Sequence, residues 1–98
     1  MKRGGSVYIL TNISNNVLYI GVTSNLFIRL QEHIDGKFKE AFTNKYNCKK
    51  LIYFETFLII EEAILKEKQL KNWHRQWKIN LINSINPIWK DLANDLVP

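Results

Sequence analysis

The chain of 98 residues is long enough for one domain, and its 46% apolar residues supply one compact core and exclude a disordered tail. A net charge of +5, from 14 basic and 9 acidic residues, favours a polyanionic partner, although charge alone leaves simple solubility as an equal alternative. The single cysteine, Cys48, excludes an internal disulfide and a zinc site made of cysteines, and the longest near-apolar run, 51–60, is too short to span a bilayer.

The first predicted elements are two strands joined by a tight turn. Residues 6–11 and 17–22 are rich in β-branched and aromatic side chains, which are typical of strands. Asn15 and Asn16 between them tolerate the left-handed backbone that short turns need, so the pattern predicts a β-hairpin. Gly21 falls inside the second strand, where glycine often marks a close approach of another group to the backbone.

A helix is predicted to follow, between the N-cap residues of 23–25 and the stop signal Gly36. Its apolar stripe is formed by residues spaced four apart, namely Leu26, Leu30 and Ile34. A polar row with the same spacing runs beside the stripe: Asn25, Arg29 and His33. Two interpretations of that row stay open at this point. It is either an ordinary solvated face or a place where Arg29 and His33 reach one substrate group together.

The second half of the chain predicts one more strand and more helix. Residues 51–57 form a β-rich run, and residues 59–82 are helical with a break near Trp73. Pro87 prevents the helix from continuing, and the tail beyond it has room for one short helical turn. The predicted order is β-β-α-β-α-α. It corresponds to one α/β (α+β) domain over residues 1–98, with a small, mostly antiparallel three-stranded sheet flanked by helices.

Glu67 lies on the apolar face of the second predicted helix, which also carries Ala63, Leu70 and, if helical periodicity continues, Trp77. A carboxylate on such a face is costly unless it is paired or binds a metal ion. Lys71, four residues further on, can form a plain ion pair with it. A divalent cation is the functional alternative, and the helix alone does not decide between the two.

Residues 37–50 carry five lysines without a clean period and predict a loop, with a short helix around residues 39–43. Lysines are suited to bind phosphate groups, and the interleaved aromatic residues can stack on unpaired bases. The equal alternative is that the aromatic residues fill the core beneath a solvated loop. The candidate nucleic-acid contacts in this segment are Lys37, Lys39, Lys45, Lys49 and Lys50.

The hairpin and the first helix together resemble the opening of the GIY-YIG nuclease family. Ser6-Val7-Tyr8 occupies the position of the family's first triplet, and Tyr19-Ile20-Gly21 matches the second triplet letter for letter. Arg29 follows Tyr19 by ten residues and His33 follows Arg29 by four, both at the family's spacing. Glu67, within AILKEKQLK, resembles the family's metal-binding glutamate. The resemblance covers nearly the whole chain and extends to the small stand-alone bacterial members, which end in a motif like INPIWKDL here.

The resemblance implies a metal-dependent endonuclease that hydrolyses phosphodiester bonds of DNA or RNA with one Mg²⁺ or Mn²⁺ ion. It implies that Tyr8 is the base with Tyr19 beside it, that Arg29 and His33 contact the phosphate or orient the nucleophile, and that Glu67 holds the metal. All five side chains are then expected to line one cleft. An unperturbed tyrosine pKa near 10 is too high for a base at neutral pH, so this role requires a nearby cation, from Arg29 or the metal.

The chain also departs from the family pattern. Ser6 replaces the first glycine, and Val22 stands where some family nucleases carry a lysine that assists the nucleophile. The absence of that lysine favours the competing hypothesis, a non-catalytic nucleic-acid-binding or protein-interaction module on the same fold. Asn86 is the candidate for an asparagine that many members carry near the end of the domain, in competition with Asn80 and Asn83, and it joins the candidate nucleic-acid contacts.

The apolar run that begins at Val7 is interrupted from Thr11 onwards, unlike the apolar stretch of a secretory leader. With the single cysteine, this predicts a cytoplasmic protein that has no membrane partner. The resemblance includes the nuclease domain of the bacterial excision-repair incision subunit. DNA is therefore the expected polymer, with repair and host defence both open as pathways.

Overall fold

The computed structural model describes residues 3–36 and 45–96 of the protein, and a three-stranded antiparallel sheet lies at its centre. Strand β1 spans Gly5–Thr11, β2 spans Leu18–Thr23 and β3 spans Lys50–Phe57. Strand β1 pairs with both others, so the order across the sheet is β2-β1-β3 and β2 is an edge strand. The predicted antiparallel sheet and the α+β class are confirmed.

Three α-helices and a short 3₁₀ helix surround the sheet in the described part of the chain. Helix α1 spans Leu26–Ile34, α2 spans Ile60–Asn72, α3 spans Arg75–Ile85, and the 3₁₀ helix spans Leu92–Leu96. The order is the predicted one, with the short turn of helix in the tail. The helix predicted around residues 39–43 lies outside the described residues. No helix within 3–36 or 45–96 has the length and apolar character to cross a membrane.

Helix α1 begins where its sequence signal places it. Asn25 is the N-cap residue, and its Oδ1 accepts a hydrogen bond from the Ile28 N–H at 3.1 Å. The Thr23 hydroxyl oxygen in turn accepts a hydrogen bond from the Asn25 N–H at 3.1 Å. The Asn25 side chain is therefore engaged in the cap. Of the polar row on this helix, Arg29 and His33 remain as candidates for the site.

The predicted break near Trp73 is confirmed, although no glycine or proline stands there. Trp73 and His74 both have an extended backbone, with ψ of 149°, and the Trp73 ring packs against the core. Helix α3 therefore starts in a new direction. Trp77, which helical periodicity placed on the buried face, is 54% exposed. That prediction was wrong because the period does not continue across the break.

Side chains alternate along β1, and this alternation produces two apolar layers. Val7 and Ile9 pack with buried residues of α2 and α3 on one face of the sheet. Tyr8 and Leu10 point the other way and pack with buried residues of α1 and the 3₁₀ helix. Helices α1 and α2 therefore lie on opposite faces of the sheet, and the site must be located with respect to both.

Candidate active site

The Tyr8 side chain lies at the centre of the α1-facing layer. The side chain comes from strand β1 and has no exposed surface. Its hydroxyl oxygen is 3.2 Å from Nε2 of His33. His33 comes from the last turn of α1 and is itself only 6% exposed. Two sequence-predicted residues that are 25 positions apart thus form one buried hydrogen bond. Such a bond helps to orient both rings, because rotation of either ring breaks a buried hydrogen bond.

Tyr19 completes a cluster of three rings. In the pairing of β1 with β2, Tyr19 lies opposite Leu10, two residues before Gly21, which lies opposite Tyr8, so both tyrosines project from the same face of the sheet. The ring centroids are 6.3 Å apart for Tyr8 and Tyr19, 6.0 Å for Tyr8 and His33, and 5.7 Å for Tyr19 and His33. The two triplet tyrosines and the histidine therefore form a compact triangle, as the resemblance implied for these three.

Gly21 leaves the space into which the Tyr8 ring fits. Gly21 pairs with Tyr8 across the strands, and a Cβ added at position 21 would lie 2.5 Å from Tyr8 Cζ and 3.0 Å from Cε1. Atoms at these distances overlap, so any side chain at this position would displace the phenol. The glycine that marked a close approach in the sequence thus marks the approach of Tyr8 to the backbone of β2.

The protonation states of the buried pair follow from its surroundings. Burial raises the pKa of Tyr8 above its ordinary value and the neighbouring Tyr19 adds to this, while the Arg29 guanidinium acts in the opposite direction. Burial lowers the pKa of His33, Arg29 lowers it further, and Glu32 partly offsets them. At neutral pH both groups are therefore uncharged. Arg29 and the metal ion were the two cations expected to lower the pKa of Tyr8. Arg29 alone does not lower it enough to ionise the hydroxyl at neutral pH.

Arg29 lies beside this cluster on α1 and forms an ion pair with Glu32. Arg29 Nε is 3.2 Å from Glu32 Oε1, and the arginine side chain is more exposed than that of the glutamate. An ion pair at a partly exposed position contributes at most about 1 kcal/mol, so a phosphate can compete for the guanidinium. Sequence reasoning did not select Glu32, although its spacing of three residues from Arg29 was the available signal.

Glu67 is placed apart from the other four predicted residues. It belongs to α2, on the sheet face opposite α1, and its side chain is 16% exposed. Lys71 Nζ lies 3.3 Å from Glu67 Oε2, which is the plain ion pair that the helix spacing allowed. The structure therefore gathers Tyr8, Tyr19, Arg29 and His33 on one face, whereas the helix that carries Glu67 packs on the other face.

A groove along the edge strand β2 connects the two sets of residues. It has a volume of about 350 Å³ and is lined by Leu18, Tyr19, Ile20, Lys71 and Lys78. Tyr19 belongs both to the ring cluster and to this groove, and Lys71 belongs both to the groove and to the pair with Glu67. We call it the β2 groove. Glu67 thus lies one ion pair away from a surface that begins at the ring cluster.

The acidic side chains constrain any metal site. Within residues 3–36 and 45–96, no three His, Cys, Asp or Glu side chains gather into a metal-binding group. Glu67 is a single carboxylate whose charge is neutralised by Lys71. This donor set fits an ion that retains most of its water ligands and takes others from a substrate phosphate. It does not fit a permanently bound structural metal.

Asn86 occupies a structural position at the end of α3. It is 4% exposed, and its Nδ2 donates hydrogen bonds to the carbonyl oxygens of Ile52 at 3.1 Å and Lys90 at 2.9 Å. Its Oδ1 accepts a hydrogen bond from the Lys90 N–H at 3.1 Å. The side chain ties the turn after α3 to β3. This arrangement leaves Asn86 almost no surface for the nucleic-acid contact predicted from the sequence.

The described lysines of the loop before β3 lie beside the hairpin turn. Lys45 stacks over the Tyr46 ring at 5.4 Å, and Lys49 Nζ donates a hydrogen bond to the Ile34 carbonyl oxygen at 3.2 Å. Lys49 and Lys50 line a cavity of about 590 Å³ together with Tyr46. The other two lysine candidates, Lys37 and Lys39, lie outside the described residues.

Comparisons relate the chain to known proteins. Residues 4–80 match the family model described as the GIY-YIG catalytic domain. A UPF0213 protein of Syntrophus aciditrophicus is 37% identical over 81 residues, which cover 83% of this chain and 91% of that protein. A probable intron-encoded endonuclease 1 of Neurospora crassa is 32% identical over 92 residues, which cover 88% of this chain and 30% of that longer protein.

A solved structure shares the architecture. The NMR structure of a UPF0213 protein from Bacillus halodurans has a TM-score of 0.58 to this one and covers 97% of this chain and 99% of its own. The sequence identity is 23%, so the likeness concerns the fold. The names of the UPF0213 relatives state no activity. What the site does must therefore be argued from its own chemistry.

Proposed function

The chain belongs to the GIY-YIG family, and from that premise we propose that it is a metal-dependent endonuclease that hydrolyses phosphodiester bonds of nucleic acid, with DNA as the polymer. The observation that carries the proposal is the buried hydrogen bond between Tyr8 and His33, beside the partly exposed Arg29. A packing role alone explains buried aromatic rings. Burial also requires a partner for each polar atom of the rings, so what favours chemistry is the cation beside the hydrogen-bonded pair.

The pair can accept a proton from water without an ionised tyrosine. In the tautomer that carries hydrogen on Nδ1, the Tyr8 hydroxyl donates to His33 Nε2. Tyr8 has no exposed surface in this structure, so the relay requires that substrate binding admit a water to its hydroxyl. That water passes its proton to the Tyr8 oxygen while the Tyr8 proton moves to Nε2 across the 3.2 Å contact. The water oxygen bonds to phosphorus, the phosphodiester bond to the leaving oxygen breaks, and the leaving oxygen takes a proton from solvent. Tyr8 begins and ends neutral, and His33 ends as an imidazolium. This relay is compatible with a tyrosine pKa that burial has raised.

Arg29 supplies the positive charge next to this pair. Its planar guanidinium has several N–H donors, which suit the oxygens of a phosphate. Glu32 holds the guanidinium at 3.2 Å until substrate competes for it. Negative charge grows on the phosphate oxygens during attack, so a cation fixed at this place stabilises the transition state more than the bound substrate.

Mg²⁺ or Mn²⁺ is the proposed cofactor, and Glu67 is the proposed protein ligand. Such an ion is often held by one or two carboxylates together with the substrate phosphate, which matches a site with a single acidic side chain. The Lys71 ammonium must leave Glu67 for the ion to bind there. When bound, the ion neutralises phosphate charge and activates the phosphodiester towards attack.

The test is incubation of the pure protein with structured DNA and RNA, in the presence of Mn²⁺, Mg²⁺ or a chelator. Cleavage is expected with a metal ion alone. Arg29→Ala should slow it by about 10²–10³-fold, and Glu67→Gln should remove it while binding in chelator persists. Glu62→Gln, on the exposed side of α2, is the matched control. If no DNA or RNA is cut with either metal, the proposal is wrong.

A non-catalytic binding module is the second candidate, and two observations favour it. The helix that carries Glu67 packs on the sheet face opposite the ring cluster, and Val22 leaves the nucleophile without an assisting lysine. A module of this kind binds nucleic acid equally well with and without a divalent ion and leaves it intact. The same incubation therefore separates the two functions.

A further inference from the structure

The β2 groove is basic along one wall. Lys71 comes from the end of α2 and Lys78 from the first turns of α3, and the break at Trp73 and His74 brings both to the same groove. Leu18 and Ile20 of the edge strand form the opposite wall. Among the described residues, no acidic side chain lines the groove itself. The groove therefore presents two ammonium groups on one wall and apolar side chains on the other.

Arg75 fixes the arrangement at the far end. Its Nη2 donates a hydrogen bond to the Asn16 carbonyl oxygen at 2.8 Å, which ties the start of α3 to the turn of the hairpin. The near end of the groove is Tyr19, which also belongs to the ring cluster. A ligand that lies in the groove would run from the proposed cleavage site towards the hairpin turn.

We propose that the β2 groove binds the sugar-phosphate backbone of one nucleic-acid strand, with Lys71 and Lys78 as its phosphate contacts. The inference rests on the proposed function, because the groove is placed as the path of the strand that the site cuts. Its volume of about 350 Å³ is on the scale of a short stretch of one backbone. Apolar residues under a row of cations suit a chain whose charges lie on one side and whose sugars lie on the other.

Lys71 then has two alternative partners. Without nucleic acid its ammonium neutralises Glu67 at 3.3 Å, and with nucleic acid a backbone phosphate attracts it. Arrival of the strand thus exposes the carboxylate proposed to hold the metal. Lys78 has no such carboxylate partner among the described residues, so a substitution at Lys78 changes strand binding without affecting Glu67.

The competing explanation is that the two lysines protect an exposed sheet edge. Lysines commonly flank edge strands, where they discourage pairing with other chains. That role requires charge at the edge but no phosphate ligand. It predicts the same nucleic-acid affinity for a variant that lacks Lys78 as for one that lacks any other surface lysine.

The experiment measures binding of a short fluorescent single-stranded oligothymidylate, in chelator, over a series of salt concentrations. Lys78→Gln should weaken binding by about three- to tenfold and reduce the slope of log affinity against log salt by about 0.7, the loss of one single-strand phosphate contact. Lys68→Gln, an equal loss of charge on the exposed side of α2, is the control and should change affinity less than about twofold. Lys78→Arg should restore binding.

The results separate this inference from the proposed activity. If Lys78→Gln binds as Lys68→Gln does, or if the wild type does not bind the oligothymidylate, the groove is not a strand-binding surface. A parallel incubation of the wild type with Mn²⁺ reports cleavage. Weakened binding of Lys78→Gln with no cleavage by the wild type supports the groove and removes the nuclease, whereas cleavage with unchanged binding does the reverse.

Discussion

The Tyr8 hydroxyl combines no solvent exposure with a hydrogen bond to His33, so its removal tests the proton relay directly. Tyr8→Phe deletes one oxygen and keeps the ring. It should abolish cleavage while the free energy of unfolding falls by about 1–3 kcal/mol, the usual cost of leaving a buried polar group without its partner. Cleavage rates and urea unfolding of the purified variant check both statements.

Tyr53→Phe is the matched control for that variant. Tyr53 is equally buried, but it belongs to the opposite layer and its hydroxyl donates to Glu55 at 2.9 Å. It should lose a similar amount of stability and retain cleavage. Equal loss of cleavage in both variants would mean that Tyr8 acts only through packing.

Among the secondary-structure elements, the turn after α3 depends on one side chain. Asn86→Ala removes three hydrogen bonds and leaves the buried carbonyl of Ile52 and the partly buried backbone groups of Lys90 without them. We expect the free energy of unfolding to fall by about 1–3 kcal/mol, with oligonucleotide affinity unchanged. Asn80→Ala, on the exposed surface of α3, should change neither quantity. An Asn86→Ala protein of wild-type stability but weaker binding would restore the predicted nucleic-acid contact.

At the same scale, the proposed metal site leads to a prediction for the last turn of α2. Lys71→Gln removes the positive charge that neutralises Glu67, so Mn²⁺ should bind about two- to fivefold more tightly, as expected for a partly exposed ion pair. Lys68→Gln should leave the affinity unaltered. Calorimetric titration measures both. Unchanged Mn²⁺ binding in Lys71→Gln and in Glu67→Gln would exclude Glu67 as a ligand.

For the molecule as a whole, stability should decline towards both ends of the pH scale. The pKa of His33 is lowered in the folded state, so below about pH 6.5 the unfolded chain binds a proton that the folded one resists. The pKa values of Tyr8 and Tyr53 are raised, so above about pH 10 the unfolded chain loses protons that the folded one retains. Both differences in proton binding between the folded and unfolded chains lower the free energy of unfolding.

Urea unfolding at a series of pH values checks this expectation. His33→Gln should flatten the acid side of the profile, and Tyr8→Phe should reduce the alkaline slope while Tyr53 supplies the remainder. A wild-type profile that is flat between neutral and alkaline pH would contradict the burial of these two hydroxyl groups.

The sequence predicted the elements of this fold better than their relative placement. The hairpin and the cap at Asn25 have local signals, and the structure contains both, together with the predicted helix break near Trp73. Hydrophobic periodicity identifies the buried side of a helix but not the face of the sheet that the helix covers. Periodicity therefore could not test the single cleft that the family resemblance implied for Arg29 and Glu67, and in the structure α1 and α2 lie on opposite faces.

The chemical details that sequence reasoning missed depend on contacts between distant residues. Asn86 is an ordinary polar residue in the chain, and only the approach of Ile52 shows that its amide is buried. The β2 groove likewise exists because Lys71 and Lys78 meet across a helix break. Neither follows from spacing along one element. In contrast, the Tyr8, Tyr19 and His33 cluster follows from a hairpin and the helix directly after it.

The close fit of Tyr8 against Gly21 also makes the order of mutations matter. Alanine at position 21 of the present chain overlaps the phenol ring, whereas alanine beside a small residue at position 8 occupies emptied space. A lineage that has lost Tyr8 can therefore recover stability through Gly21→Ala, and the double variant Tyr8→Val with Gly21→Ala should be more stable than the sum of its single changes indicates. Once the alanine is present, the returning tyrosine no longer fits. No single mutation can then reverse the loss of the tyrosine without a cost in stability. This pair of positions is therefore an evolutionary ratchet.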